Sequence, residues 1–175
     1  MKSKIVLSAC SLILLLIAHV PASAKGDTVK ITVTDLKSGT TIESTDPAVR
    51  RFGVWEGPGT FVNGIAQNEG FIIAWSKGIV AAPVATLPRY EVKFYEGCKM
   101  SESAACHSEE PSVAYVVTYT YDPAMKQGYV YLPGPREEYY DRNVWSIVRG
   151  VEGKWFMASE EWQSFVVPLI APSHH

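Results

Sequence analysis

Histidine and cysteine are scarce in this chain of 175 residues, with four of the first and three of the second. His19 lies within the first 24 residues and His174 and His175 sit on the C-terminal tail, so only His107 is left for the folded part. A serine or cysteine nucleophile needs a positioned base, and the G-x-S-x-G elbow does not occur. No C-x2-C pair is present to anchor a zinc site. The run Ser103-Ala104-Ala105-Cys106-His107 lacks the first cysteine of a haem attachment. Long basic runs are missing too, which excludes tracking along a phosphate backbone and makes nucleic acid an unexpected partner. The glycines of Gly57-Pro58-Gly59 sit in no strand–loop–helix frame, so they read as turn chemistry and not as a phosphate cradle.

The first 24 residues have the three regions of a secretory signal peptide. Lys2 and Lys4 open it, an apolar run over 5–18 is too short to span a bilayer comfortably, and Ala22-Ser23-Ala24 is a small-residue cleavage signal. Leu7-Ser8-Ala9-Cys10 also matches a lipoprotein signal. Most of the apolar run follows Cys10, however, so cleavage after Ala24 is the expectation, with no stable membrane span afterwards. Export to the periplasm or beyond follows. The remaining chain would carry 14 basic against 18 acidic side chains, a net charge of about −4 that mainly serves solubility. Its two cysteines, Cys98 and Cys106, would then form a disulfide closing a short loop.

What the chain has in quantity is β-pattern. Residues 27–35 (DTVKITVTD) alternate Val29, Ile31 and Val33 with threonines, and 89–96 (RYEVKFYE) alternate Tyr90, Val92 and Phe94 with Glu91, Lys93 and Tyr95. Phe52, Val54 and Trp55 suggest a short strand, Asn63-Gly64 a tight turn, and GFIIAWS (70–76) a strand buried on both faces. The polar stretch 36–47 reads as a loop. The clearest signal is SVAYVVTYTYDPAMKQGYVYLP (112–133), a β-hairpin in which Asp122-Pro123 starts the turn and Gly128 supplies a positive φ at its end. The spacing of Val144, Ile147, Val148 and Val151 predicts a short helix near 141–149, capped by Asp141 or Asn143, with a strand from Val144 as the alternative. Residues 154–157 suit a short strand. Ser159 then caps a second helix, with Glu160 and Glu161 in its first turn and Trp162, Phe165, Val166 and Leu169 on one stripe.

The fold class expected is α+β: a single domain over 25–172, an antiparallel sheet with one or two C-terminal helices packed on it, and a frayed tail at 173–175. GFIIAW, LPRYEV, GYVYLPG and GVEGKWF, in that order from Gly70 to Phe156, resemble a group of small exported bacterial proteins of uncharacterised function. That resemblance implies export and one domain, and it carries no activity, ligand or catalytic residue.

Three functional readings remain. The first is a non-enzymatic binding module of the cell envelope, free of cofactors. If Tyr121 pairs with Tyr129, then Tyr119 faces Tyr131 and four tyrosines share one face, a platform for a protein, peptide or glycan. The helix bearing Trp162 must cover one face of the hairpin; if it lies on the tyrosines, the platform fails. The second is copper handling through Cys98, Met100, Cys106 and His107, since thiolate, thioether and imidazole suit Cu(I). The third is a carboxylate-based hydrolase. Glu109-Glu110, Glu137-Glu138 and Glu160-Glu161 are sequence neighbours, which do not share a face on a regular element, so solvated charges explain them better.

Overall fold

The computed structural model describes residues 26–97 and 110–171. Three long strands form its centre: β1 (Asp27–Asp35), β6 (Arg89–Gly97) and β7 (Ser112–Asp122). With β2 (Thr41–Ser44), β5 (Ile79–Val80), β8 (Gln127–Tyr131) and β9 (Trp155–Met157) they make an antiparallel sheet in the order β2-β1-β6-β7-β8-β9-β5. A separate ribbon pairs β3 (Phe61–Val62) with β4 (Ile65–Ala66). Among the described residues there are two α-helices, α1 (Tyr140–Ser146) and α2 (Glu160–Ile170). The α+β class is therefore as the sequence implies. Among the described residues no helix is long and apolar enough to cross a membrane.

One face of the sheet, the inner face, carries Ile31, Val33, Val92, Phe94, Tyr115, Val117, Tyr119, Val130 and Phe156, all buried. Its cover is α2 together with the excursion between β2 and β6. Ser159 Oγ accepts the Trp162 N–H at 3.2 Å and starts α2. The helix then sends Trp162 into the core, where its ring meets Phe52 edge-on at 5.0 Å, Tyr119 at 6.0 Å and Phe94 at 5.8 Å. Edge-to-face and tilted contacts of this kind add to the area each ring buries. Pro168 sits inside the last turn of α2, where it removes the N–H that would donate to the Ser164 carbonyl and so weakens the helix near its end.

The excursion departs from the expected strands for local reasons. Phe52 and Val54 are fully buried, but they follow a 3-10 turn (Pro47–Arg51) and belong to no strand. Phe71, Ile72 and Ile73 are buried as expected of GFIIAWS, yet the segment is not a strand. Gly70 and Phe71 both take positive φ (108° and 63°), which breaks the extended run and leaves a single bridge from Ile73 to Ala158. In β1 a bulge between Thr28 and Lys30 turns Thr28 inward, where its hydroxyl donates to the Phe52 carbonyl at 2.9 Å. The supposed loop after β1 contains the edge strand β2, whose only apolar side chain is Ile42. The Asn63-Gly64 turn stands, with both residues at positive φ.

Arg149 ties the excursion down. It is 6 % exposed, and its guanidinium donates from Nη1 to the carbonyls of Glu56 (2.9 Å) and Pro58 (3.1 Å) and from Nη2 to that of Val54. Phe71, Tyr115 and Trp75 surround it with ring centroids at 5.0–5.5 Å. Carbonyl dipoles and ring faces replace the water that this charge gives up.

Helix α1 begins at Tyr140, and neither Asp141 nor Asn143 caps it: Tyr139 is the cap residue, in the left-handed region. Asn143 has another task. β8 pairs with β7 only from Thr118 onward, which leaves the first half of β7 with an open edge. Asn143 closes it, its Oδ1 accepting the Val116 N–H at 2.8 Å and its Nδ2 donating to the Val116 carbonyl at 2.7 Å. Ser146 Oγ donates to the Ala114 carbonyl. The helix thus stands in for a missing strand and satisfies backbone groups that would otherwise be buried unpaired.

Candidate functional site

The hairpin register decides where the tyrosines go. Asp122 Oδ1 accepts the N–H of Ala124 (2.9 Å) and Met125 (3.2 Å), and this side-chain turn closes a loop over 123–126. Asp122 then pairs with Gln127, Tyr121 with Gly128, Thr120 with Tyr129, Tyr119 with Val130 and Thr118 with Tyr131. The register is one residue away from the pairing that would align all four tyrosines, and a shift of one moves side chains to the opposite face. Tyr119 and Tyr121 point to the inner face; Tyr119 is fully buried under Trp162 and Tyr121 is half-buried. Tyr129 and Tyr131 lie on the outer face, so the four-tyrosine platform does not form.

Gly128 also has a different reason from the one expected. Its φ is not positive, and Lys126 takes the left-handed position instead (φ 51°). A Cβ on Gly128 would lie 2.5 Å from Tyr119 Oη, so glycine is there because the Tyr119 ring lies across it. Burial raises the Tyr119 hydroxyl pKa, and Oη has no hydrogen-bond partner among the described residues.

On the outer face the alternation of β6 places Arg89, Glu91 and Lys93 together, next to Thr118 and Val116 of β7, then Tyr131 of β8 and Trp155 of β9. A groove of about 690 Å³ runs over these strands, with Pro133, Glu137, Glu138 and Tyr139 as its rim. Its volume is in the range typical of small-molecule clefts. Tyr131 and Trp155 are cross-strand partners with ring centroids 5.0 Å apart, forming an aromatic ledge. The Arg89 guanidinium lies 5.9 Å from the Trp155 ring, at the loose end of cation–π distances.

The rim is held in a strained shape. Gly134 packs against Gly153 so closely that an added Cβ would sit 2.9 Å from its Cα. Arg136 and Tyr139 are non-glycine residues at φ 74° and 67°, each costing about 1 kcal/mol or more. Glu137 clamps the segment: its carboxylate accepts the Tyr131 hydroxyl (3.0 and 2.8 Å) and the Gly134 N–H (2.6 Å). Burial, reinforced by the Glu137 carboxylate, pushes the Tyr131 hydroxyl up to about 12.

At the other end Lys93 Nζ is 2.9 Å from Glu91 Oε1 and 5.2 Å from the Tyr139 ring. Its pKa is raised, chiefly by Glu91. The Tyr139 hydroxyl is raised as well, first by burial and then by hydrogen bonding to Glu138 and Glu91. Glu137 and Glu138 both line the groove, although adjacent residues on a regular element could not. The irregular backbone that precedes α1 makes this possible.

Glu137 and Glu138 were named from the sequence as a carboxylate pair, but Trp155, Tyr139, Glu91, Lys93 and Arg89 were not singled out as site residues. The polar half of the 89–96 alternation was the available signal for three of them. Cys98, Met100, Cys106 and His107, with the disulfide and the copper reading they carry, lie outside the described residues. Among the described residues no group of three or more histidine, cysteine, aspartate or glutamate side chains is placed to hold a metal ion. Comparison with family models, with curated proteins and with solved structures finds no match, so the groove has to be read on its own chemistry.

Proposed function

We propose that this protein is an exported, non-enzymatic binding module of the cell envelope whose ligand site is the outer-face groove. The observation that carries the reading is the aromatic ledge of Tyr131 and Trp155, set in a concave site whose polar groups are already held in place. Large rigid rings beside a few fixed polar groups are what a recognition site needs, because little is left to order on binding. The signal-peptide pattern and the resemblance to small exported proteins support export.

A hydrolase built on carboxylates is the second reading, favoured by the arrival of Glu91, Glu137 and Glu138 at one groove. Against it, Glu137 is committed to two donors and Glu91 to Lys93, an arrangement suited to fixing side chains.

Two experiments test the proposal. The mass of protein recovered from a bacterial periplasm without reductant should match cleavage after Ala24, with two hydrogens lost for a disulfide. Glycan and peptide arrays probed with wild-type protein and with Trp155→Ala should show a signal that the variant loses. A signal untouched by Trp155→Ala, or none on either array, overturns the groove as the site.

A further inference from the structure

We infer that the groove takes an uncharged sugar of about two rings, with the ligand's apolar ring face on Trp155 and Tyr131 and its hydroxyls on the Lys93–Glu91 and Glu137 groups. The inference rests on the groove being the ligand site, and it goes beyond that to the ligand's chemistry.

The first argument is charge. Arg89, Glu91 and Lys93 stand together on β6 while Glu137 and Glu138 line the rim, two cations against three carboxylates, so neither sign dominates by much. Among the described residues, four of the five charged groups are already engaged, Glu138 by the Tyr139 hydroxyl, and Arg89 is the exception. Lys93 is on Glu91 at 2.9 Å, and Glu137 accepts from the Tyr131 hydroxyl at 2.8 Å and the Gly134 N–H at 2.6 Å. A charged ligand that took Lys93, Glu91 or Glu137 would have to break one of these contacts and leave its other member uncompensated. A hydroxyl group avoids that cost, since it donates to a carboxylate and accepts from an ammonium at once. Lys93, which also contacts the Tyr139 hydroxyl, keeps one N–H donor, Glu91 keeps free lone pairs, and the Tyr131 oxygen, donating its proton to Glu137, is free to accept.

The second argument is shape. The ledge is built from rings of two neighbouring strands, 5.0 Å apart and inclined by 36°, so it presents an extended surface. The C–H face of a pyranose meets such a surface while its equatorial hydroxyls stay free to hydrogen-bond at the edges, which a phosphate, polar on every side, cannot do. Arg89 is exposed at 5.9 Å from the Trp155 ring, and it is free to swing aside and donate to a ring oxygen. Groove volume sets the size, since about 690 Å³ exceeds what one ring fills.

The test is isothermal titration of the full exported protein with maltose, cellobiose, lactose and N,N′-diacetylchitobiose, beside digalacturonate and a tetralysine peptide. At least one neutral disaccharide should bind saturably. Trp155→Ala should weaken that binding about tenfold or more, Trp155→Phe should keep most of it, and Glu137→Gln should reduce it with the circular dichroism unchanged. If digalacturonate or tetralysine binds in a Trp155-dependent way and no neutral sugar does, the sugar inference falls while the groove remains the site. If a sugar binds but Trp155→Ala and Glu137→Gln leave its affinity unchanged, both readings fall, as they do if no probe binds.

Discussion

The two faces of one sheet handle aromatic side chains in opposite ways. On the inner face Tyr115 and Tyr119 are buried by other rings and by α2, and burial raises both hydroxyls, that of Tyr115 to about 12 despite the opposing Arg149 charge. On the outer face Tyr131 and Tyr139 remain partly exposed, and their hydroxyls are held by carboxylates. Tyr115, Tyr119 and Tyr131 come from one hairpin of alternating sequence, and Tyr139 comes from the rim before α1. Packing fixes the first, and a polar frame fixes the second. Inner-face changes should therefore cost stability, whereas outer-face changes should cost binding.

The sharpest way to break that contrast is Trp162→Ala. Removing a fully buried indole from among Phe52, Phe94 and Tyr119 should lower the unfolding free energy by about 3–5 kcal/mol. Chemical denaturation read by far-ultraviolet circular dichroism measures it. Asn143→Ala comes next, because it strands both backbone groups of Val116, with an expected loss of about 2–3 kcal/mol by the same measurement. Gly128→Ala should cost about 1–3 kcal/mol, as Tyr119 has no room to yield. Adding Tyr119→Phe should recover part of that loss, since the closest clash is with Oη; a purely additive double mutant would show that Gly128 is there for some other reason.

Alkaline pH gives a smaller, graded effect. In the folded protein burial pushes the Tyr115 and Tyr131 hydroxyls up to about 12, above the ordinary tyrosine value of about 10. The unfolded chain loses these protons first, so the stabilisation they give is intact below pH about 10 and is lost as pH climbs toward about 12. Tyrosinate absorbance should rise in two stages, the later one accompanied by unfolding. The smallest stability effect belongs to the outer face. Trp155→Ala should cost no more than about 1 kcal/mol, and a loss as large as that of Trp162→Ala would erase the distinction between the faces.

Much of this architecture could be read from residue order. The alternation in 27–35, 89–96 and 112–133, the Ser159 cap and the Trp162 stripe all correspond to elements in the structure. Register was harder, because both faces of β7 carry good strand formers. Only the four-residue loop closed by Asp122 decides that Tyr121 meets Gly128. GFIIAWS was readable as buried but not as irregular, since nothing local reveals that Phe71 sits at φ 63°. Long-range ties were invisible: Arg149 holds carbonyls more than 90 positions away, and Asn143 reaches Val116 across 27. The groove joins β6, β7, β8, β9 and the rim before α1 and is a product of sheet order, which no single motif encodes.

The chain has five tryptophans, and Trp155 and Trp162 lie on opposite faces of the sheet. Nitrogen-15 spectra of their indole N–H groups, recorded while the tightest-binding neutral disaccharide is added, set the two faces side by side in one sample. The expected result is a saturable shift of the Trp155 signal with the Trp162 signal fixed. A shift of Trp162 with Trp155 unmoved would contradict the assignment of the outer face as the binding surface.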